Sequence, residues 1–148
     1  MWDDSEILER KIERHFHLLL ACQRTGERGD PGDTRALLGW IARSQELMIT
    51  ASLKALRKAG GRAPRYSNLM RAAVRLENNI QALVGSSLEG TSRSLRDLIR
   101  FCNRSLDRTD IDIDVLRLLE ADVEELHDQL ASAEQAQLES AAFARAAA

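Results

Sequence analysis

Apolar residues recur every three or four positions along most of this chain, and that rhythm predicts five helices. Leu8, Ile12, Phe16 and Leu19 mark one face of a first helix over about residues 4–24. Ser5 lies near its start, and Glu6 and Glu9 sit in its first turns, where the helix dipole favours acids. Residues 25–32 (TGERGDPG) cannot continue a helix. Asp33 or Thr34 then caps a second helix along Leu37, Ile41, Ser44, Met48, Ala51 and Ala55, stopped by Gly60-Gly61 with Pro64 beyond. Ser67 or Asn68 opens a third along Leu69, Ala73, Leu76, Ile80 and Leu83, ending at Gly85. Thr91 or Ser92 opens a fourth along Leu95, Ile99, Cys102 and Leu106, closing near Thr109. Asp112 or Asp114 caps a fifth, whose stripe Leu116, Leu119, Val123, Leu126, Leu130 and Ala133 alternates three and four like a heptad. The Ala-rich segment 134–148 has weak apolar faces and either prolongs the fifth helix or frays, a frayed tail being the favoured reading.

Nothing alternates with period two beyond the short stretch at 111–115 (IDIDV), too brief for a sheet. The expected fold is all-α: an antiparallel helical bundle of four long helices plus a crossover helix, with a single domain over residues 1–133 and a tail after it. Aromatics are scarce, at 4%, so the core must be built of Leu, Ile, Val and Ala, and single-stranded nucleic acid finds few bases' worth of stacking partners. Cys22 and Cys102 each fall in an apolar stripe, far apart and in no CxxC pair; they read as small buried hydrophobes in a reducing compartment. No apolar run approaches the roughly 20 residues of a membrane span, and no apolar signal core follows Met1, so a cytoplasmic protein without membrane attachment is expected.

Charge changes this picture, because it is sorted by position. Residues 1–33 carry eight Asp/Glu against five Lys/Arg, net −3. Residues 34–108 carry fourteen Lys/Arg against five Asp/Glu, net +9, and residues 109–148 carry ten Asp/Glu against two Lys/Arg, net −8. On a helical wheel Arg93, Arg96, Arg100, Arg104 and Arg108 share the face of the fourth helix opposite its apolar stripe. That face admits three readings: a solvated surface neutralised by the acidic fifth helix, a site for an acidic protein partner, or a site for a polyanion. The near-equality of +9 and −8 favours internal pairing, and a chain pI near 5.9 argues against nucleic acid.

Helical bundles also house di-iron and di-manganese sites, built from inward Glu and Glu-x-x-His pairs. Glu124 and His127 form one such pair on the fifth helix, with Glu120 one turn earlier; all three flank its apolar stripe. His15 lies among Leu8, Leu19 and Cys22 on the first helix, and His17 lies on its far side. Together His15, Glu120, Glu124 and His127 are the candidate ligands of iron or manganese, should the chain bind a metal. The second helix offers only Glu46 and the fourth only Asp97, both on outer faces, and the third offers Glu77 at an edge. No nucleophile elbow, P-loop or dinucleotide fingerprint occurs, which points away from an enzyme.

Three segments carry a resemblance: residues 33–38 (DTRALL) opening the second helix, residues 53–61 (LKALRKAGG) with Pro64 closing it, and residues 125–130 (ELHDQL) on the last. In these the chain resembles small bacterial ferritin-like four-helix-bundle proteins, over about residues 5–131. The resemblance implies that the third helix is the crossover segment and that two antiparallel helices follow it. It carries over Glu124 and His127 as ligand positions and none on the second or fourth helix. The functional expectation is a non-enzymatic, cofactor-free bundle that binds itself or a protein partner, with an atypical carboxylate/histidine metal site as the alternative.

Overall fold

A computed structural model describes residues 3–26, 32–80, 87–108 and 110–147. It contains α1 (Asp4–Gly26), α2 (Gly32–Lys58), α3 (Tyr66–Ile80), α4 (Ser87–Leu106) and α5 (Ile113–Ala147), and no strand among the described residues. The all-α expectation therefore holds. The expected end of the third helix at Gly85 lies outside the described residues.

Helix ends are fixed by local chemistry. Asp3, rather than Ser5, caps α1: the Glu6 amide donates to Asp3 Oδ1 at 2.9 Å while the Asp3 amide donates back to Glu6 Oε2 at 3.0 Å, a reciprocal capping box. Ser5 instead donates its hydroxyl to the Ala59 carbonyl. At the end of α2, Gly60 has φ of 82°, and the Gly60 and Gly61 amides donate to the carbonyls of Arg57 and Leu56. This is a Schellman close, available to glycine because an L side chain is strained in the left-handed region. Asp112 caps α5 by accepting the Asp114 amide at 2.9 Å.

Two expected boundaries are corrected. Thr91 and Ser92 are not caps of α4; the helix begins at Ser87 and both side chains are buried within it, Ser92 donating to Gln137 Oε1 on α5 at 3.0 Å. The segment from 134 on is not a frayed tail in this structure. α5 runs unbroken to Ala147, as a stretch rich in alanine, the strongest helix former, permits.

Packing runs around a ring: α1 touches α2 and α4, and α5 touches the same two, while α3 lies against α1 and reaches α4. The core gathers Leu8, Ile12, Leu38, Ile41, Met48, Leu56, Leu95, Ile99, Leu119 and Leu126 between the four long helices. Because α3 covers the outer side of α1, that helix is buried on two sides, and His17, expected on the far side, is closed in against Glu77 of α3 with Nε2 2.9 Å from Oε2. Both cysteines are buried thiols outside any disulfide, and burial pushes the Cys22 thiol up to about 12 and the Cys102 thiol up to about 11. Neither should react with a thiol reagent in the native state, and both should react at once in denaturant; rapid native labelling of either would show that its helix face opens.

Candidate functional site

The strongest local chemistry lies inside the bundle, on side chains that the apolar pattern passed over. Along α5 the buried heptad is Val115, Leu119, Asp122, Leu126, Gln129 and Ala133, so a carboxylate and an amide occupy successive inward positions. Along α2 the buried face is Leu38, Ile41, Ser44, Gln45, Met48, Ser52 and Leu56. Along α1, Lys11 and His15 are each fully buried, one helical turn apart. Three helices thus aim polar groups at one another across the core.

These groups satisfy one another in a continuous chain. Lys11 Nζ donates to Asp122 Oδ2 at 2.5 Å, to Ser52 Oγ at 2.8 Å and to His15 Nε2 at 2.9 Å. All three ammonium hydrogens are thereby engaged. An ammonium has no lone pair, so His15 Nε2 must accept and Nδ1 must carry the imidazole proton. His15 Nδ1 then donates to Gln45 Oε1 at 2.5 Å. Gln45 Nε2 donates to Gln129 Oε1 at 2.9 Å, Gln129 Nε2 donates to Ser44 Oγ at 2.6 Å, and Ser44 Oγ donates to Glu125 Oε1 at 2.8 Å near the surface. The run links α1, α2 and α5 from the deepest cation to a half-buried contact with solvent.

Protonation follows from this geometry. Burial, reinforced by the Lys11 cation, holds the His15 imidazole well below its usual value, against a smaller opposing pull from its bond to Gln45. The ring is neutral wherever the bundle is folded near neutral pH. Burial also raises the Asp122 carboxyl above the ordinary range, Lys11 pulling it back down in part.

The candidate ligands do not gather. His15 sits in the core with both ring nitrogens engaged, whereas Glu120, Glu124 and His127 are exposed on α5. Among the described residues no three His, Cys, Asp or Glu side chains are placed to share a metal ion. The polar interior holds Lys11, a buried cation whose hydrogens point at the available acceptors. A metal ion placed beside the buried Lys11 would meet like charge.

The arginine face divides. Arg93 reaches Glu89 of its own helix, Arg96 NH2 lies 3.2 Å from Glu134 of α5, and Arg108 pairs with Asp110 in the loop between α4 and α5. Arg100 and Arg104 are exposed and form no ion pair with a described residue. Glu120, Glu124 and Asp128 of α5 are exposed and unpaired in the same way. Internal neutralisation therefore accounts for Arg96 and leaves the centre of both charged faces open.

One end of the bundle also carries an open groove of about 750 Å³, lined by Asp3, Asp4, Asp112, Asp114, Lys54 and Lys58 among others. Three of these carboxylates have structural employment. Asp3 and Asp112 cap helices, and Asp4 Oδ2 accepts the Asp112 amide at 3.2 Å. No helix among the described residues is long and apolar enough to cross a membrane. No family model, no curated protein and no solved structure matches this chain.

Proposed function

We propose that this chain is a non-enzymatic, cytoplasmic helical-bundle protein that acts by self-association or by binding a protein partner, on a ferritin-like, antiparallel plan without that family's metal chemistry. The observation that carries the reading is the pair of open charged faces, Arg100 and Arg104 on α4 and Glu120, Glu124 and Asp128 on α5. Inside, the polar groups are spent on one another: Lys11, His15, Gln45 and Gln129 each have their hydrogen-bond partners within the core. A site for chemistry would need reachable groups, and the reachable ones here are long surface charges suited to recognition.

The antiparallel plan is supported by the order of the cross-contacts. Ser5 meets Ala59 and His15 meets Gln45, so positions rise along α1 as they fall along α2. Gln129 meets Gln45 and Glu125 meets Ser44 at the middle of α2 and α5, while Arg96 meets Glu134 and Ser92 meets Gln137. Asp4 and Asp112 bring the starts of α1 and α5 to one end. With α3 carrying the chain from α2 to α4, that is the order of helices that a ferritin-like crossover requires. Light scattering across a concentration series, with affinity capture from an extract, tests the reading. A monomer at every concentration together with nothing captured refutes it.

A further inference from the structure

We infer that the partner is a second copy of this chain, docked through the face formed by α4 and α5 with a two-fold axis running along the bundle. The inference deepens the reading above and rests on it. On α4 that face presents Arg100 and Arg104; on α5 it presents Glu120, Glu124 and His127, all exposed. Within one copy the two rows lie side by side on neighbouring helices and leave each other unpaired, although Arg96 and Glu134 show that the helices stand close enough to bridge further along.

Register decides which copy-to-copy arrangement works. Ser92 is level with Gln137 and Arg96 with Glu134. Moving forward along α4 and back along α5 at about 1.5 Å per residue brings Arg104 level with the stretch between Glu124 and His127. A two-fold axis parallel to the helices preserves height and exchanges left for right, so α4 of one copy lies over α5 of the other. Arg104 then meets the Glu124 of the second copy, and by the same symmetry Glu124 of the first copy meets the Arg104 of the second. Arg100 falls beside the turn of α5 that follows, next to Ala131, where no bulky side chain stands in the way. Turning the axis across the helices instead would lay arginines on arginines and glutamates on glutamates. That alternative is repelled, so the charge pattern selects one orientation as well as a partner.

Contacts of this kind are exposed and salt-screened, so the dimer should be weak and fast, and its association constant should fall about tenfold or more between about 50 mM and 500 mM salt. Two reversed variants test the geometry by sedimentation equilibrium, each first checked for an unchanged melting transition. Arg100→Glu with Arg104→Glu makes both faces acidic, and Glu120→Arg with Glu124→Arg makes both basic. Each variant alone should be monomeric, and an equimolar mixture should dimerise, because each acidic face then meets a basic one. A dimer that survives both reversals overturns this interface while leaving self-association in place. A mixture that stays monomeric overturns the two-fold arrangement. A wild-type chain that is monomeric at all concentrations overturns the second copy as partner, and capture of a different protein then carries the broader reading alone.

Discussion

Replacing Lys11 with methionine should cost about 3–5 kcal/mol of unfolding free energy at neutral pH, the usual penalty for stranding one member of a buried ion pair. Methionine fills nearly the same volume, so the loss comes from Asp122, whose side chain is only 10% exposed. Without the ammonium 2.5 Å away, that carboxylate keeps its desolvation cost and loses its counter-charge. Ser52 and His15 Nε2 lose a donor in the same step. The sign of the pH dependence is fixed by the same logic. The Asp122 carboxyl is already raised by burial with Lys11 present, and removing the cation raises it further, so protonation relieves the variant and its deficit shrinks as pH falls. Adding Asp122→Leu to Lys11→Met should recover most of the loss, since a buried pair replaced by packed apolar residues is often neutral or stabilising. Urea titration of the three proteins checks this. A loss below about 1 kcal/mol in the single variant, or no recovery in the double, would mean that the pair contributes no more than a surface bridge does.

The helices were legible in the sequence because period and punctuation agree: Gly60-Gly61 closes α2 and Asp112 opens α5 as the pattern predicts. The inward face was legible only in part. On α4 the stripe Leu95, Ile99 and Cys102 is buried as expected, because nothing polar interrupts it. On α5 the apolar letters Leu116, Val123 and Leu130 drew the stripe one residue away from the true heptad through Val115, Asp122 and Gln129, and they lie half-buried beside it. On α2 the same displacement replaced Ser52 and Leu56 with Ala51 and Ala55. In each case a rule that sends hydrophobic residues inward misses polar residues that go inward together. A readable trace existed: Lys11, Gln45, Ser52, Asp122 and Gln129 recur at heptad positions on three helices, and Ser44 already stood in the expected stripe of α2. One polar residue in a stripe reads as noise, whereas complementary ones on several helices read as a network. Only the pairing of helices in space tells the two apart. The open faces of α4 and α5 were visible as charge, but that Arg100 and Arg104 find no partner where Arg96 does depends on helix spacing, which no periodicity reports.

Between pH 7.5 and 5 the folded state should lose stability on account of His15, up to the limit of about 2 kcal/mol set by an imidazole that stays neutral in the bundle throughout. In the unfolded chain this imidazole titrates near 6.5, while in the bundle burial and the Lys11 cation hold it well below that. The group's stability contribution is therefore fully present above pH 6.5 and is lost as pH falls toward the folded value, at about 1.4 kcal/mol per pH unit. Geometry supplies the reason: a second proton would sit on Nε2, 2.9 Å from an ammonium, with Nδ1 already donating to Gln45. The charged groups that bear on this ring in the core are Lys11 on its own helix and, beyond that ammonium, Asp122 on α5. Asp122 acts with the opposite sign, because a raised carboxyl lets the native state take up a proton before the unfolded chain does. Protonation of Asp122 therefore offsets part of the His15 loss at the acid end of the range. His15→Gln will carry its own constant penalty for lost packing, so the slope rather than the absolute stability is the readout. Chemical denaturation of both proteins from pH 7.5 to 5 should give a wild-type curve that falls and a His15→Gln curve that is flatter, by up to about 2 kcal/mol over the interval. Parallel curves would mean that the wild-type bundle accepts the second proton without penalty, and that the bond from Lys11 to His15 is not what joins the deep cation to the amide chain running out along α2 and α5.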